Sequence, residues 1–195
     1  MSLREEILNV SREILIKDGF GKMSMRKIAG RCDVTATSIY LHFKNKDDLL
    51  LALIEESIEH LKQALIEVLD PSKSMIEQLE ILARTYIEYA LKHPQEYEVI
   101  YMVRPEEMPK YPKEKFRDVR STYELLAEII QTGGENESLD VKSSLISAYT
   151  LWAQLHGVVS VILNKRLDTR IPQDQFIEQA INHILKGFVI EKTPA

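Results

Sequence analysis

The segment from Ser24 to Lys46 constrains the fold most, because it has the pattern of two short helices joined by a tight turn. Ser24 is placed to cap the first helix, since a serine oxygen accepts a hydrogen bond from an amide two or three residues further on. Asp33 tolerates the left-handed conformation that such a turn often requires, and Thr35 is placed to cap the second helix. The pattern therefore predicts a helical hairpin.

The second helix of this hairpin has an apolar side and a side of small polar groups. Val34, Ile39 and Phe43 share the apolar side at helical spacing. The outer side carries Ala36, Thr37, Ser38, Tyr40 and Leu41. Small residues, hydroxyls and methyl groups are what a helix entering a DNA major groove needs. Periodicity alone leaves a hairpin with a polar face and another role equally open.

The order of residues after the turn is more specific than the periodicity. Val34, Thr35, Ile39, Tyr40, His42, Phe43 and Lys46 follow one another in a fixed register. This register resembles the end of the helix-turn-helix of the tetracycline-repressor (TetR) family of bacterial regulators. Cys32 and Asp33 stand where the family usually has Ala and Gly, which affects only the geometry of the turn.

The resemblance implies a ligand-responsive homodimeric repressor that binds a near-palindromic double-stranded DNA operator through the major groove. It implies an all-α fold, with a three-helix DNA-binding domain at residues 1–46, a linking helix at 45–69, and a helical effector-binding and dimerisation domain at 47–195. The residues expected to read bases are Ala36, Thr37 and Ser38. The residues expected to contact phosphates are Ser24, Arg26, Tyr40, His42 and Lys46.

Charge is distributed unevenly along a chain whose formal net charge is −5. Residues 1–46 carry nine Lys or Arg and five Asp or Glu, so their net charge is +4, whereas the remaining residues carry −9. The basic end is the end that holds the candidate DNA-reading segment. With 45% hydrophobic residues and only 7 Gly and 7 Pro, the rest of the chain is predicted to be helical and to bury a sizeable core.

The single cysteine, Cys32, excludes an internal disulfide framework and favours a reducing compartment. We expect it to be a small buried side chain; a redox sensor is the weaker alternative, because no second Cys is present to resolve an oxidised thiol. The charged start, MSLREEIL, does not resemble a signal peptide, and no strictly apolar run is long enough to span a membrane. A cytoplasmic protein is therefore expected.

Helical spacing predicts the remaining elements in order. A first helix is expected to end at Gly19, and the linking helix is expected to end before Pro71. Further helices are expected from about Ser74 to His93, from Pro94, from about 114 to 131, from about 139 to 165 and from about 174 to 189. Loops are expected at 104–112, which contains three prolines, and at 132–138, which contains Gly133 and Gly134.

The helix predicted at 139–165 has more apolar surface than one neighbouring helix would cover, which indicates a subunit interface. In the TetR family, the matching pair of C-terminal helices packs against its copy as a four-helix bundle, and the resemblance implies the same here. The residues expected at this interface are Tyr149, Ala153, Gly157, Ile177, Ile181 and Ile184.

Aromatic residues in the second half of the chain are candidates for an effector pocket. They are Tyr86, Tyr89, Tyr97, Tyr101, Tyr123 and Trp152, together with His156. At helical spacing the same residues are also ordinary core packing, so we expect a mixture of the two. Trp152, His156 and Gly157 also resemble the W-x-x-x-H-G signature of one branch of the family's C-terminal domains.

The sequence shows none of the motifs that would indicate an enzyme. It has no phosphate-binding glycine loop, no nucleophile elbow and no H-E-x-x-H pair, so we expect no catalytic residue, metal or cofactor. Cys32 and His42 could be imagined as nucleophile and base, but nothing orients a third group. The alternative to a DNA-binding regulator is a non-enzymatic helical module whose hairpin binds protein.

Overall fold

The structure, a computed structural model, describes residues 2–102, 116–136 and 143–187. The helices in these ranges are α1 (Leu3–Asp18), α2 (Met25–Arg31), α3 (Ala36–Tyr40), α4 (Lys46–Glu67), α5 (Met75–Lys92), α6 (Pro94–Met102), α7 (Phe116–Asn136), α8 (Ser144–Leu163) and α9 (Gln173–Lys186). A single 3₁₀ turn, Phe20–Lys22, follows α1. Since the described ranges contain no strand, the prediction of an all-α fold is confirmed.

Packing divides the chain into two compact units. We call Met1–His60 with His93–Val119 the head unit, and Leu61–Lys92 with Arg120–Ala195 the body unit. The chain passes from head to body within α4. The head unit therefore extends beyond residue 46 and includes α6. The boundary of the DNA-binding domain at residue 46 stays a prediction.

The head unit has one apolar core to which α1, α2, α3, the first part of α4 and α6 contribute. Ile7 and Ile14 from α1 are buried in it at the helical spacing that the sequence predicts. Ser2 and Glu5 form a capping box at the start of α1, and Gly19 ends that helix with a φ of 80°, a conformation that favours glycine. Val99 of α6 is also buried in this core.

The body unit contains α5, α8 and α9 packed against one another. Leu79 and Leu82 of α5 and Leu151 and Leu155 of α8 are among its buried residues. Arg84 of α5 forms an ion pair with Glu178 of α9. These two side chains are substantially exposed, so apolar burial rather than this ion pair stabilises the packing.

The glycine pair at 133 and 134 does not break α7, and the loop predicted at 132–138 is therefore wrong over its first five residues. A Cβ added to Gly133 would lie 2.3 Å from Cβ of Met75, at the start of α5. Gly133 thus allows a close approach that a side chain would prevent, and this tertiary packing outweighs the low helix propensity of glycine. The other helices have the predicted order. Loop 104–112 and the remainder of loop 132–138 lie outside the described residues.

Gly133→Ala tests this close approach. The added methyl would force the start of α5 away from α7, and we expect a loss of about 1 to 3 kcal/mol in the free energy of unfolding, measured by urea denaturation. The matched control is Gly30→Ala in α2, where the new Cβ has no heavy atom within 4 Å. Removing a helical glycine there should raise stability by up to about 1 kcal/mol. Equal behaviour of the two variants would contradict the packing argument.

Candidate nucleic-acid interface

Two side-chain caps and one left-handed residue shape the segment from α2 to α3. The hydroxyl of Ser24 accepts a hydrogen bond from the amide of Lys27 at 3.2 Å, and that of Thr35 accepts one from the amide of Ser38 at 3.2 Å. Asp33, in the turn between the helices, has a φ of 52°. All three features were predicted from the sequence, and the structure confirms them.

The inner side of α3 is fixed by the head core. Ile39 and Phe43 are buried there, and Val34 packs against the same cluster. Ala36 also packs against this cluster and is only partly exposed. Its methyl group therefore has less surface available for a base edge than the sequence pattern suggested.

The outer side of α3 presents two of the three predicted base readers, together with Leu41, which was expected on this side but not among the readers. Thr37 is exposed, whereas Ser38 is half-buried, with its hydroxyl 2.9 Å from that of Thr35. Leu41 is 81% exposed and Tyr40 is 54% exposed. Leu41 lies four residues after Thr37, and this spacing was the signal that could have identified it.

All but one of the predicted phosphate-contacting residues are exposed. Ser24, Arg26 and His42 are exposed. Lys46, at the start of α4, is partly buried, and its Nζ lies 3.8 Å from the centroid of the Phe20 ring. A cation over an aromatic face is attracted by the ring quadrupole, so Phe20 holds the ammonium group near the hairpin.

Ion pairs within the head use several of its cations. Three ion pairs have a distance of 2.5 Å between nitrogen and oxygen. They join Nζ of Lys27 to Oδ2 of Asp18, a guanidinium nitrogen of Arg31 to Oε2 of Glu13, and a guanidinium nitrogen of Arg12 to Oε2 of Glu56. The hydrogen bond from Lys27 also lowers the pKa of Asp18.

Other cations of the head are available to an anionic ligand. Arg26 and Lys44 are exposed, and neither forms an ion pair within the ranges that the structure describes. They lie in the part of the chain with the positive formal charge.

Cys32 is buried in the head core, as expected. Burial raises the pKa of its thiol, with a smaller contribution from Glu6 in the same direction. Because the thiolate is the reactive form, this environment is the opposite of the one that activates a nucleophilic or redox-sensing cysteine.

The body unit brings together part of the predicted aromatic cluster. The ring centroids of Tyr123 and Tyr149 are 4.6 Å apart, those of Tyr123 and Trp152 are 5.1 Å apart, and those of Trp152 and His156 are 5.1 Å apart. Burial lowers the pKa of His156, which favours its neutral form. Tyr86 joins Tyr123 and Trp152 around a cavity of only about 10 Å³.

The other predicted pocket aromatics are placed differently. Tyr97 and Tyr101 lie on α6 in the head unit, with ring centroids 5.0 Å apart. Tyr97 is buried, and Tyr89 of α5 is half-buried in the body unit. The sequence treated these residues as one group, whereas packing assigns them to two units.

The predicted interface residues separate into two groups. Tyr149, Ala153 and Gly157 lie on one exposed stripe of α8, and Ile177 of α9 is half-buried. Ile181 and Ile184 instead lie in the body core, where they are 0% and 5% exposed. For these two residues the interface expectation is replaced by core packing, because their own chain already covers them.

The exposed stripe belongs to an unusually apolar helix. Among the described residues, α8 is a helix long and apolar enough to cross a membrane, judged by length and composition alone. The mean hydropathy of its most apolar segment is 1.4, and 28% of that segment is buried. One such helix is weak evidence for a membrane span, since apolar helices of soluble proteins pass the same test. Leu145 and Ile146 extend the apolar surface at its start.

Comparisons with known proteins cover both units. The family model described as bacterial regulatory proteins, tetR family, matches residues 7–53, and that described as tetracyclin repressor-like, C-terminal domain, matches residues 79–184. The HTH-type transcriptional regulator YvkB of Bacillus subtilis is 25% identical over 94% of this chain and 95% of its own length. The transcriptional repressor KstR2 of Mycolicibacterium smegmatis is 25% identical over 72% of this chain and 71% of its own. A TetR family transcription regulator from Marinobacter aquaeolei has a TM-score of 0.77 at 17% identity, covering 94% of each chain.

Thr35→Val tests the cap that begins α3. Valine keeps the shape of threonine but removes the oxygen that accepts from the Ser38 amide, so we expect a loss of about 1 kcal/mol in the free energy of unfolding. Thr35→Ser retains the oxygen and should keep most of the parent stability. Chemical denaturation monitored by circular dichroism provides the measurement. A serine variant as unstable as the valine variant would contradict the role of the hydroxyl.

Proposed function

Because the chain belongs to the tetracycline-repressor family of DNA-binding transcriptional regulators, which are not enzymes, we propose that it is a ligand-responsive homodimeric repressor of the cytoplasm. The observation that carries this proposal is the exposed outer face of α3, held outward by a buried inner face in the basic end of the chain. A helix presented in this way is suited to the DNA major groove. The name of KstR2 supports the repressor role.

We assign base readout principally to Thr37, with Ser38 beside it. The Thr37 side chain is exposed and offers both a hydroxyl and a methyl to base edges. The Ser38 hydroxyl is engaged with Thr35, so it would contact DNA while keeping that hydrogen bond. Ala36 would contribute mainly by its small size, which lets the backbone approach the groove.

We assign phosphate contacts to Ser24, Arg26, Tyr40, His42 and Lys46. These contacts would position α3 without reading sequence, since phosphates are the same at every base pair. Lys46 has the clearest physical reason to contact a phosphate. Its position at the start of a helix is unfavourable for a cation, and a phosphate placed there would offset that cost.

The homodimer would form through the exposed stripe of α8 and its neighbour α9. Ala153 and Gly157 are small, so a second helix could approach closely along this side. To bind a near-palindromic operator, the two copies of α3 in this dimer would lie about 34 Å apart, which is one turn of DNA.

The effector would bind in the body unit beside Tyr86, Tyr123 and Trp152. The cavity there is too small for an organic molecule in the present conformation, so binding requires the aromatic side chains to move apart. A molecule that favours the expanded conformation shifts the population away from the DNA-binding one only if its affinities for the two differ. Release of labelled operator on titration with candidate compounds would detect such an effector.

The regulator role is tested by selection from sheared genomic DNA. Purified protein is incubated with the fragments at moderate salt, and the retained fragments are sequenced. Enrichment of one inverted repeat with half-sites about one helical turn apart is the expected result. Retention that is sensitive to salt but independent of sequence, even after refolding to remove a bound ligand, would contradict the proposal.

Lys46→Ala should weaken binding to every duplex. Each lost phosphate contact lowers the slope of log affinity against log salt by about 0.9, so a dimer with two altered heads should lose roughly two units of slope. Fluorescence anisotropy over a salt series measures this slope. The control is Lys92→Ala, an exposed lysine of the body unit. An unchanged slope for Lys46→Ala would remove this residue from the phosphate contacts.

Thr37→Ala should instead change sequence preference. The loss is expected at one base position in each half-site, at about 1 to 3 kcal/mol, while other positions and the salt slope stay unchanged. Affinities for a set of operators with single base-pair changes provide the measurement. A uniform loss of affinity across these operators would show that Thr37 positions the helix and does not read a base.

Ala153→Arg should separate the dimer while leaving each chain folded. Ala153 is exposed, so arginine fits on the single chain, whereas in a close helix pair it would place a charge in an apolar interface. Sedimentation should show a dissociation constant at least tenfold weaker, and operator affinity should fall with it. The control is Gln63→Arg, an exposed position on α4. Unchanged dimerisation of Ala153→Arg would place the interface elsewhere.

A further inference from the structure

Leu41 stands apart from the other apolar residues of the head unit. Its side chain is 81% exposed, whereas the apolar residues on either side of it in the chain, Ile39 and Phe43, are buried. Tyr40 carries a hydroxyl that water can solvate, but the isobutyl group of Leu41 has no polar atom. Leu41 therefore presents apolar surface on the side of α3 that faces away from the core.

The backbone fixes the direction of this side chain. Leu41 has helical dihedral angles, φ −69° and ψ −24°, and its amide donates to the carbonyl of Thr37 at 3.2 Å. Residues four apart on a helical turn lie on the same face. Leu41 thus extends the exposed surface of Thr37, the principal candidate for base readout.

The surroundings of Leu41 favour DNA over an apolar protein partner. Arg26 and Lys44 are exposed cations of the same unit without an ion pair in the described ranges, and residues 1–46 carry a net charge of +4. A duplex offers phosphates to these cations. Its major groove also carries one exposed apolar group on the base edges, the C5 methyl of thymine.

We propose that Leu41 is a specificity-determining residue that packs against the C5 methyl of a thymine in each half-site of the operator. This contact removes apolar surface of both groups from water and would favour thymine over cytosine at that position. The proposal rests on the proposed function, because it needs a sequence-specific duplex.

Deoxyuridine provides the probe, since it differs from thymidine only by the missing methyl. Each thymine of the operator found by selection is replaced in turn by deoxyuridine, and the affinity of the parent protein is measured by fluorescence anisotropy. Burial of one methyl is worth about fourfold in affinity. We expect a penalty of this size per half-site at one symmetric pair of positions.

The same scan with Leu41→Ala identifies the contacting residue. The penalty at that pair of positions should disappear in Leu41→Ala and persist in Leu41→Met, which keeps an apolar side chain. Ile66→Ala is the matched control, because Ile66 is another exposed aliphatic residue and lies in the body unit. It should leave the whole scan unchanged.

Two results would overturn the proposal. One is a deoxyuridine penalty that is equal in the parent and in Leu41→Ala at every position. The other is the absence of any deoxyuridine penalty in the parent protein. This second result does not depend on the folding of a variant. Failure of the proposed function is distinct, because the parent would then bind the operator no better than a scrambled duplex at the same salt.

Discussion

Burial of Ile39 and Phe43 in the head core determines what α3 presents to a ligand. These two side chains leave only one face of the short helix exposed, and that face contains Thr37, Tyr40 and Leu41. A five-residue helix has little stability of its own, so its orientation depends on this packing and on the Thr35 cap. The orientation of the DNA-binding helix therefore depends on buried apolar side chains that do not themselves contact DNA.

Local signals predicted the head unit well. Caps at Ser24 and Thr35 and the left-handed Asp33 are set by residues within a few positions, so the sequence contains the information directly. The contribution of Val99 to the head core could not be predicted in this way, because it depends on a helix that returns from a distant part of the chain. The close approach of Gly133 to Met75 could not be predicted either, because it joins two helices that are far apart in the sequence.

The sequence predicted the kind of site but not the placement of every residue in it. Ala36 was expected on the outer side, yet its methyl packs against the head core, because it lies three residues before the buried Ile39 and shares that side of the helix. The family resemblance placed Ile181 and Ile184 at an interface, although both are already buried where α9 packs against α5 and α8 of the same chain. A pattern of apolar residues identifies a buried face but does not say which neighbour buries it.

Cys32 has a consequence for how the motions of this protein can be followed. It is the single cysteine of the chain, it lies in the core of the helix-turn-helix, and burial raises the pKa of its thiol. A thiol reagent can modify it only when the head opens and exposes the sulfur. The rate of labelling in the natural chain would thus report the opening of the DNA-binding unit alone, with no engineered probe and no signal from the larger body.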